Sequence, residues 1–134
     1  MAELQTKEPK QQKRAEFALD SLKEKAKANA INKELANFIV GMPNMILSNG
    51  LGQSLAFLKA KSSKPEREFV FSVLKKYIRK EYSTVFTSDD DFDFLCKING
   101  LNQLDYIKLQ DECLRMLEWL KRYARAFQQP EKGE

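Results

Sequence analysis

Apolar positions recur along most of this chain at spacings of three and four and alternate strictly almost nowhere, so the pattern predicts helices and no strand. From Pro9 to about Asn29, Ala15, Ala18, Leu19, Leu22 and Ala26 form a narrow stripe, and its three alanines imply a close neighbour. The phase then slips. Ile31, Leu35, Phe38, Ile39 and Met42 belong to a second, short helix ending at Gly41, after a break near Asn29 to Asn32. Pro43 opens a third helix, at a position where its missing N–H is harmless, running to about Lys61. Here Leu47, Leu51, Leu55 and Leu58 recur at spacings of 4, 4 and 3 and share a face. Ser48, Gly52, Ala56 and Ala60 make a bare stripe along which another backbone can approach closely. The unbroken apolar phase favours a helix continuous through Gly50 over a short one that ends at Asn49-Gly50 in a left-handed cap. A glycine inside a helix costs roughly 1 kcal/mol against alanine. A neighbouring helix, the first or the last, is therefore expected to compensate Gly52.

Ser63-Lys-Pro-Glu66 has the pattern of a capping box and starts a fourth helix to about Tyr82. Its apolar face is Val70, Phe71, Leu74, Tyr77, Ile78 and Tyr82. Residues 83–88 read as a connector. Asp89, Asp90 and Asp91 then suit the first turn of a short helix through Cys96 or Lys97, ended by Asn99-Gly100. Asn102, with Asp105 three residues on, caps a last helix from about Gln103 to Phe127. Its two apolar rows, Ile107 to Phe127 and Leu109 to Tyr123, cover about half its circumference, which predicts a central element. The expected fold is all-α: a compact single-domain bundle of five to six helices spanning 1–134, with loose tails at 1–8 and 128–134.

Composition narrows the function classes. The 134 residues contain 43% hydrophobic side chains, which suits one globular domain. No apolar run reaches the roughly 18 residues of a membrane span, and the N-terminus has no apolar core of a secretory signal. No membrane association and a cytoplasmic location are therefore expected. Cys96 and Cys113 lack CxxC partners and read as buried thiols. Histidine is absent, which removes the commonest general base and metal ligand. No catalytic residue, metal or cofactor is expected. The acidic run Asp89 to Asp93 fails as a calcium loop, because Phe94 stands where glycine is needed and Gly100 where glutamate is.

The net charge of +4 is mild, but its distribution is uneven. Lys59, Lys61, Lys64, Arg67, Lys75, Lys76, Arg79 and Lys80 are interrupted only by Glu66 and Glu68. A face meant only for solubility usually mixes signs. The last helix does mix them. Asp111 precedes Arg115, and Glu118 precedes Arg122, by four residues, the favourable ion-pair order. Lys121 and Arg125 have no acid four residues before them and read as the cations freest to meet an outside anion. Trp119 and Tyr123 fall in or beside the apolar rows and read as packing residues, so nucleic-acid contacts here would go to phosphates.

Three segments resemble the small subunit, the fifth of the Cmr module, of type III-B CRISPR effector complexes. Lys13-Arg-Ala-Glu-Phe-Ala18 resembles the family's first helix. Asn49-Gly-Leu-Gly-Gln-Ser-Leu-Ala-Phe-Leu58, with Lys61 after it and Pro43 and Ile46 before it, resembles its central motif. Leu117-Glu-Trp-Leu-Lys-Arg-Tyr-Ala124 resembles its closing motif. The resemblance implies a small all-α protein without catalysis of its own. Its copies would stack as an inner filament beside the guide-binding subunits, reaching to the large subunit. They would present basic residues to the guide–target RNA. Carried onto matching positions, Arg14, Lys61, Lys121 and Arg122 are the expected RNA-facing residues; the basic run adds Lys59 and Lys64, and the last helix adds Arg125. Two departures stand out: Gly41-Met42 replace a basic residue before the proline, and the acidic run at Asp89 has no family counterpart. The competing readings are an all-helical protein-interaction module without nucleic-acid contact and, more remotely, a metal-dependent nuclease built on Asp89 to Asp93.

Overall fold

A computed structural model describes residues 11–130, and these fold into six α-helices with no strand among them. The helices are α1 (Gln11–Lys27), α2 (Lys33–Asn49), α3 (Leu51–Ala60), α4 (Pro65–Glu81), α5 (Asp91–Asn99) and α6 (Gln103–Ala126). The expected start of α1 at Pro9 and the tails at 1–8 and 131–134 lie outside the described residues. The all-α bundle expected from periodicity is the fold observed. Helix α6 is its centre, packed against α1, α2 and α4, while α3 bridges α2 and α4 and carries α5.

The break after α1 has a definite geometry. Asn29 takes a left-handed φ of 53°, and the Ala30 and Asn29 N–H groups donate to the carbonyls of Lys25 and Ala26. This closes α1 with two of its orphan carbonyls satisfied. Asn32 then caps α2 by accepting from the Leu35 N–H at 2.8 Å.

The expected boundaries fail at two places. Helix α2 does not stop at Gly41 but runs through Pro43 to Asn49. Leu35, Ile39, Met42 and Ile46 are buried at spacings of 4, 3 and 4, and this continuous stripe outweighs the one hydrogen bond that Pro43 cannot donate. Leu47, expected in the buried ridge, is instead 65% exposed; Leu51, Leu55 and Leu58 are buried as expected. The helix expected to be continuous through Gly50 breaks there. Gly50 has φ 85° and ψ 159°, a region open essentially to glycine alone, and it ends α2 and begins α3 at once. Its N–H donates to Ile46 at 2.7 Å, and its carbonyl accepts from Ser54 at 3.1 Å.

The bare stripe also fails. Ser48, Ala56 and Ala60 face solvent, so that row is not a packing seam. Gly52 alone is approached, and the partner comes from α6: the Gly52 N–H donates to the Tyr106 hydroxyl at 2.6 Å, and the Leu51 N–H to the Gln110 side-chain oxygen at 2.8 Å. Two orphan donors of the first turn of α3 are thus capped by another helix. Helix α4 begins with Lys64 as cap and Pro65 at its first position, without the side-chain bonds of the expected Ser63–Glu66 box. The cap at Asn102 forms as expected, accepting from the Asp105 N–H, whereas Asp90, expected within the first turn of its helix, instead caps α5 and accepts from the Asp93 N–H. Past α6, Gln129 donates its N–H to the Ile31 carbonyl at 2.8 Å and its side-chain amide to Asn29.

The thiols divide. Cys113 is fully buried in α6, and burial pushes its thiol well above the ordinary range; Cys96 lies exposed on α5. One thiol per folded chain should react with a maleimide and two after denaturation, read by mass spectrometry. Rapid loss of both thiols in the folded protein would contradict the buried position of Cys113.

Candidate nucleic-acid interface

Arg14 turns inward. The Arg14 guanidinium, 7% exposed, donates from Nε and a terminal nitrogen to the two carboxylate oxygens of Glu112 at 2.7 and 3.0 Å, and Glu112 is 6% exposed. The Tyr77 hydroxyl donates to the same carboxylate at 2.5 Å. One polar cluster therefore ties α1, α4 and α6 beneath the apolar core. The pair with Glu112 raises the Arg14 guanidinium further, and burial raises the Tyr77 phenol well above its usual range. Arg14, expected among the RNA-facing residues, is thus placed inside the chain and committed to Glu112. No local spacing signals this pair, since Glu112 is 98 residues away.

The basic run is unmixed along the chain but mixed in space. Lys59 donates to Asp91 at 2.7 Å, and Lys75 to the other oxygen of Asp91 at 2.6 Å and to the Asp89 carbonyl. Arg79 donates to Asp89 at 2.9 Å and to the Thr87 carbonyl at 3.2 Å. Those bonds from Lys59 and Lys75 hold the Asp91 carboxyl below its ordinary range. Arg67 pairs with Glu66 and stacks over the Phe38 ring. Lys59, placed among the phosphate contacts by its position in the run, is thus neutralised within the chain. Asp91 commits both side-chain oxygens, and Asp89 one, to cations of α3 and α4.

On α6 the expected pairing is exchanged. Arg115 does pair with Asp111 at 2.8 Å, but Glu118 takes Lys121 at 3.1 Å, three residues on, and leaves Arg122 exposed. A carboxylate on a helix reaches either neighbour, and side-chain packing decides which. Arg125 is exposed and donates to the Gln128 side-chain oxygen at 2.9 Å. Trp119 and Tyr123 are half-buried and stack on each other with ring centroids 5.9 Å apart, as expected of packing residues.

Among the described residues, Lys61 and Lys64 have no ion-pair partner; both are exposed on the turn between α3 and α4. That turn lies beside the last turn of α1: Lys25 stands over the Phe69 ring at 5.1 Å and lines a shallow groove with Ser62, Ser63 and Pro65. The end of α1 in turn meets the end of α6 through Asn29 and Gln129. One end of the bundle therefore gathers Lys25, Lys27, Lys61, Lys64 and Arg125. Lys25 and Lys27 were missed because in sequence they are merely the basic last turn of a helix.

Residues 10–127, nearly the whole chain, match the model of a family described as CRISPR-associated protein (Cas_Cmr5).

Proposed function

Because the chain belongs to the Cas_Cmr5 family of CRISPR-associated proteins and is in that family a subunit of the Cmr complex, we propose that it serves there as a non-catalytic structural subunit. In this reading, copies of the chain stack on one another and on other subunits, including the large subunit, in the cytoplasm. The cationic end of the bundle holds the backbone of guide and target RNA. The single observation that supports RNA contact is the gathering of Lys25, Lys27, Lys61, Lys64 and Arg125 from three stretches of chain at one end. Contacts of this kind position a strand through its phosphates and carry no sequence information. Arg122 adds an exposed cation on α6, whereas Lys59 and Lys121 contribute only if their carboxylates let go.

The assay is binding of a single-stranded RNA oligonucleotide across a salt series, with the assembled complex as a parallel sample. Each phosphate contact contributes about 0.7 to the log–log slope for a single strand. Lys61→Ala with Lys64→Ala should flatten the slope by about one to two and weaken binding at all sequences alike. An unchanged slope would remove this end of the bundle from the RNA path.

The scaffold reading without RNA contact is favoured by a different observation. Phe92 is 74% exposed and Leu104 62%, and Leu47 and Ile107 are exposed with them. Side chains of this size in water suit subunit contacts. Under that reading the same lysine substitutions impair assembly and leave RNA affinity intact.

A further inference from the structure

The groove between α3, α4 and the start of α5 is lined by Lys59, Lys75, Lys76 and Arg79 together with Asp89 and Asp91. It adjoins the shallow groove at Lys25, since Ser62, Glu68 and Ser72 line both. We infer that this groove is a continuation of the RNA phosphate track and that Asp89 and Asp91 close it in the free chain, standing where two phosphates would. The inference rests on the proposed RNA contact and adds a regulation to it.

The positions of the charges support a closure. The Lys75 side chain is 12% exposed beneath an Asp89 side chain that is 89% exposed, so the carboxylate lies outermost. Asp91 divides its two oxygens between Lys59 and Lys75, the arrangement that two non-bridging phosphate oxygens make. Asp89 divides its contacts between Lys75 and Arg79. Both aspartates belong to the connector after α4 and the first turn of α5, not to the helices that carry the cations. The pairs made by the outermost carboxylate, Asp89, are weak and screened by salt, and a polyanion already anchored at the Lys61 end competes with them intramolecularly. Lys76, exposed at the rim with no ion-pair partner among the described residues, is a first contact for such a strand.

The test compares the full chain with Asp89→Asn and with the Asp89→Asn/Asp91→Asn pair, measuring anisotropy of a labelled single-stranded RNA across a salt series. The double variant should bind about tenfold more tightly at a given salt and steepen the log–log slope by about one to two. Binding by the double variant where the parent chain shows none would support the closure equally. A folded double variant with the parent's affinity and slope would overturn it, reducing the aspartates to a staple for the connector; the RNA reading would stand if the parent slope is steep. Absence of salt-dependent binding in every chain would end both readings. Tighter binding of polyglutamate but not of RNA would overturn the closure and assign the groove to an acidic protein segment. If the double variant melts early, Asp89→Asn decides alone, because so exposed a side chain carries little of the fold.

Discussion

Glu112→Ala should lower the unfolding free energy by about 3–5 kcal/mol, the largest loss expected from any single polar change in this chain. The substitution strands the Arg14 guanidinium, 7% exposed, and deprives the buried Tyr77 hydroxyl of its acceptor. An Arg14 guanidinium without Glu112 keeps little water and, as a counter-charge, the more distant Glu81 carboxylate, and the loss is a large fraction of the about 5–15 kcal/mol by which a domain is stable. The cost belongs to the broken pair, not to the value of having one. Arg14→Met, Glu112→Leu and Tyr77→Phe together should therefore recover most of it, since apolar groups of similar volume fill the space with nothing left unpaired. Urea melts of the three chains read the difference. A cost under about 1 kcal/mol for Glu112→Ala would mean that the Arg14 head reaches water in the folded chain, and Arg14 would return to the list of RNA contacts.

Gly50→Ala should cost about 2–3 kcal/mol. Forcing an L-residue into the backbone angles of Gly50 accounts for about 1–3 kcal/mol. The new Cβ would also lie 3.3 Å from the Tyr106 hydroxyl, which is already committed to the Gly52 N–H at 2.6 Å. Tyr106→Phe, which removes the acceptor and keeps the ring, should cost about 1 kcal/mol and reduce the contact part of the penalty at Gly50. The double variant then measures how much of the effect is backbone and how much is contact. If Gly50→Ala is neutral in a thermal melt, the joint between α2 and α3 does not have the geometry described.

The helices were legible because their stripes are long, and the cap of α6 was legible because one side chain serves its own turn. Asn102, with Asp105 three residues on, is read from a few neighbouring letters. The break at Asn29 to Asn32 and the acids from Asp89 to Asp91 marked helix starts without singling out the caps Asn32 and Asp90. What was not legible depends on residues far apart in the chain. Pro43 and Gly50 are both strong punctuation; tertiary burial of Ile46 overrides the first, and α6 reinforces the second. The charged residues show the same division. Asp111 with Arg115 follows from spacing, whereas Arg14 with Glu112 and Lys75 with Asp91 follow only from the fold. Of the seven cations expected at the interface, Lys61, Lys64, Arg122 and Arg125 remain outward and without an ion-pair partner among the described residues. Those at Arg14, Lys59 and Lys121 are bound to carboxylates.

Trp119 is the chain's one tryptophan, and its indole N–H donates to the Gln11 side chain at 2.9 Å. It also packs against the core and stacks on the Tyr123 ring of its own helix. The intrinsic emission of this protein therefore has a single dominant source, placed on the seam between the first helix and the last. Light from that source follows the docking of the first helix, while the far ends of α3 and α5 are optically silent.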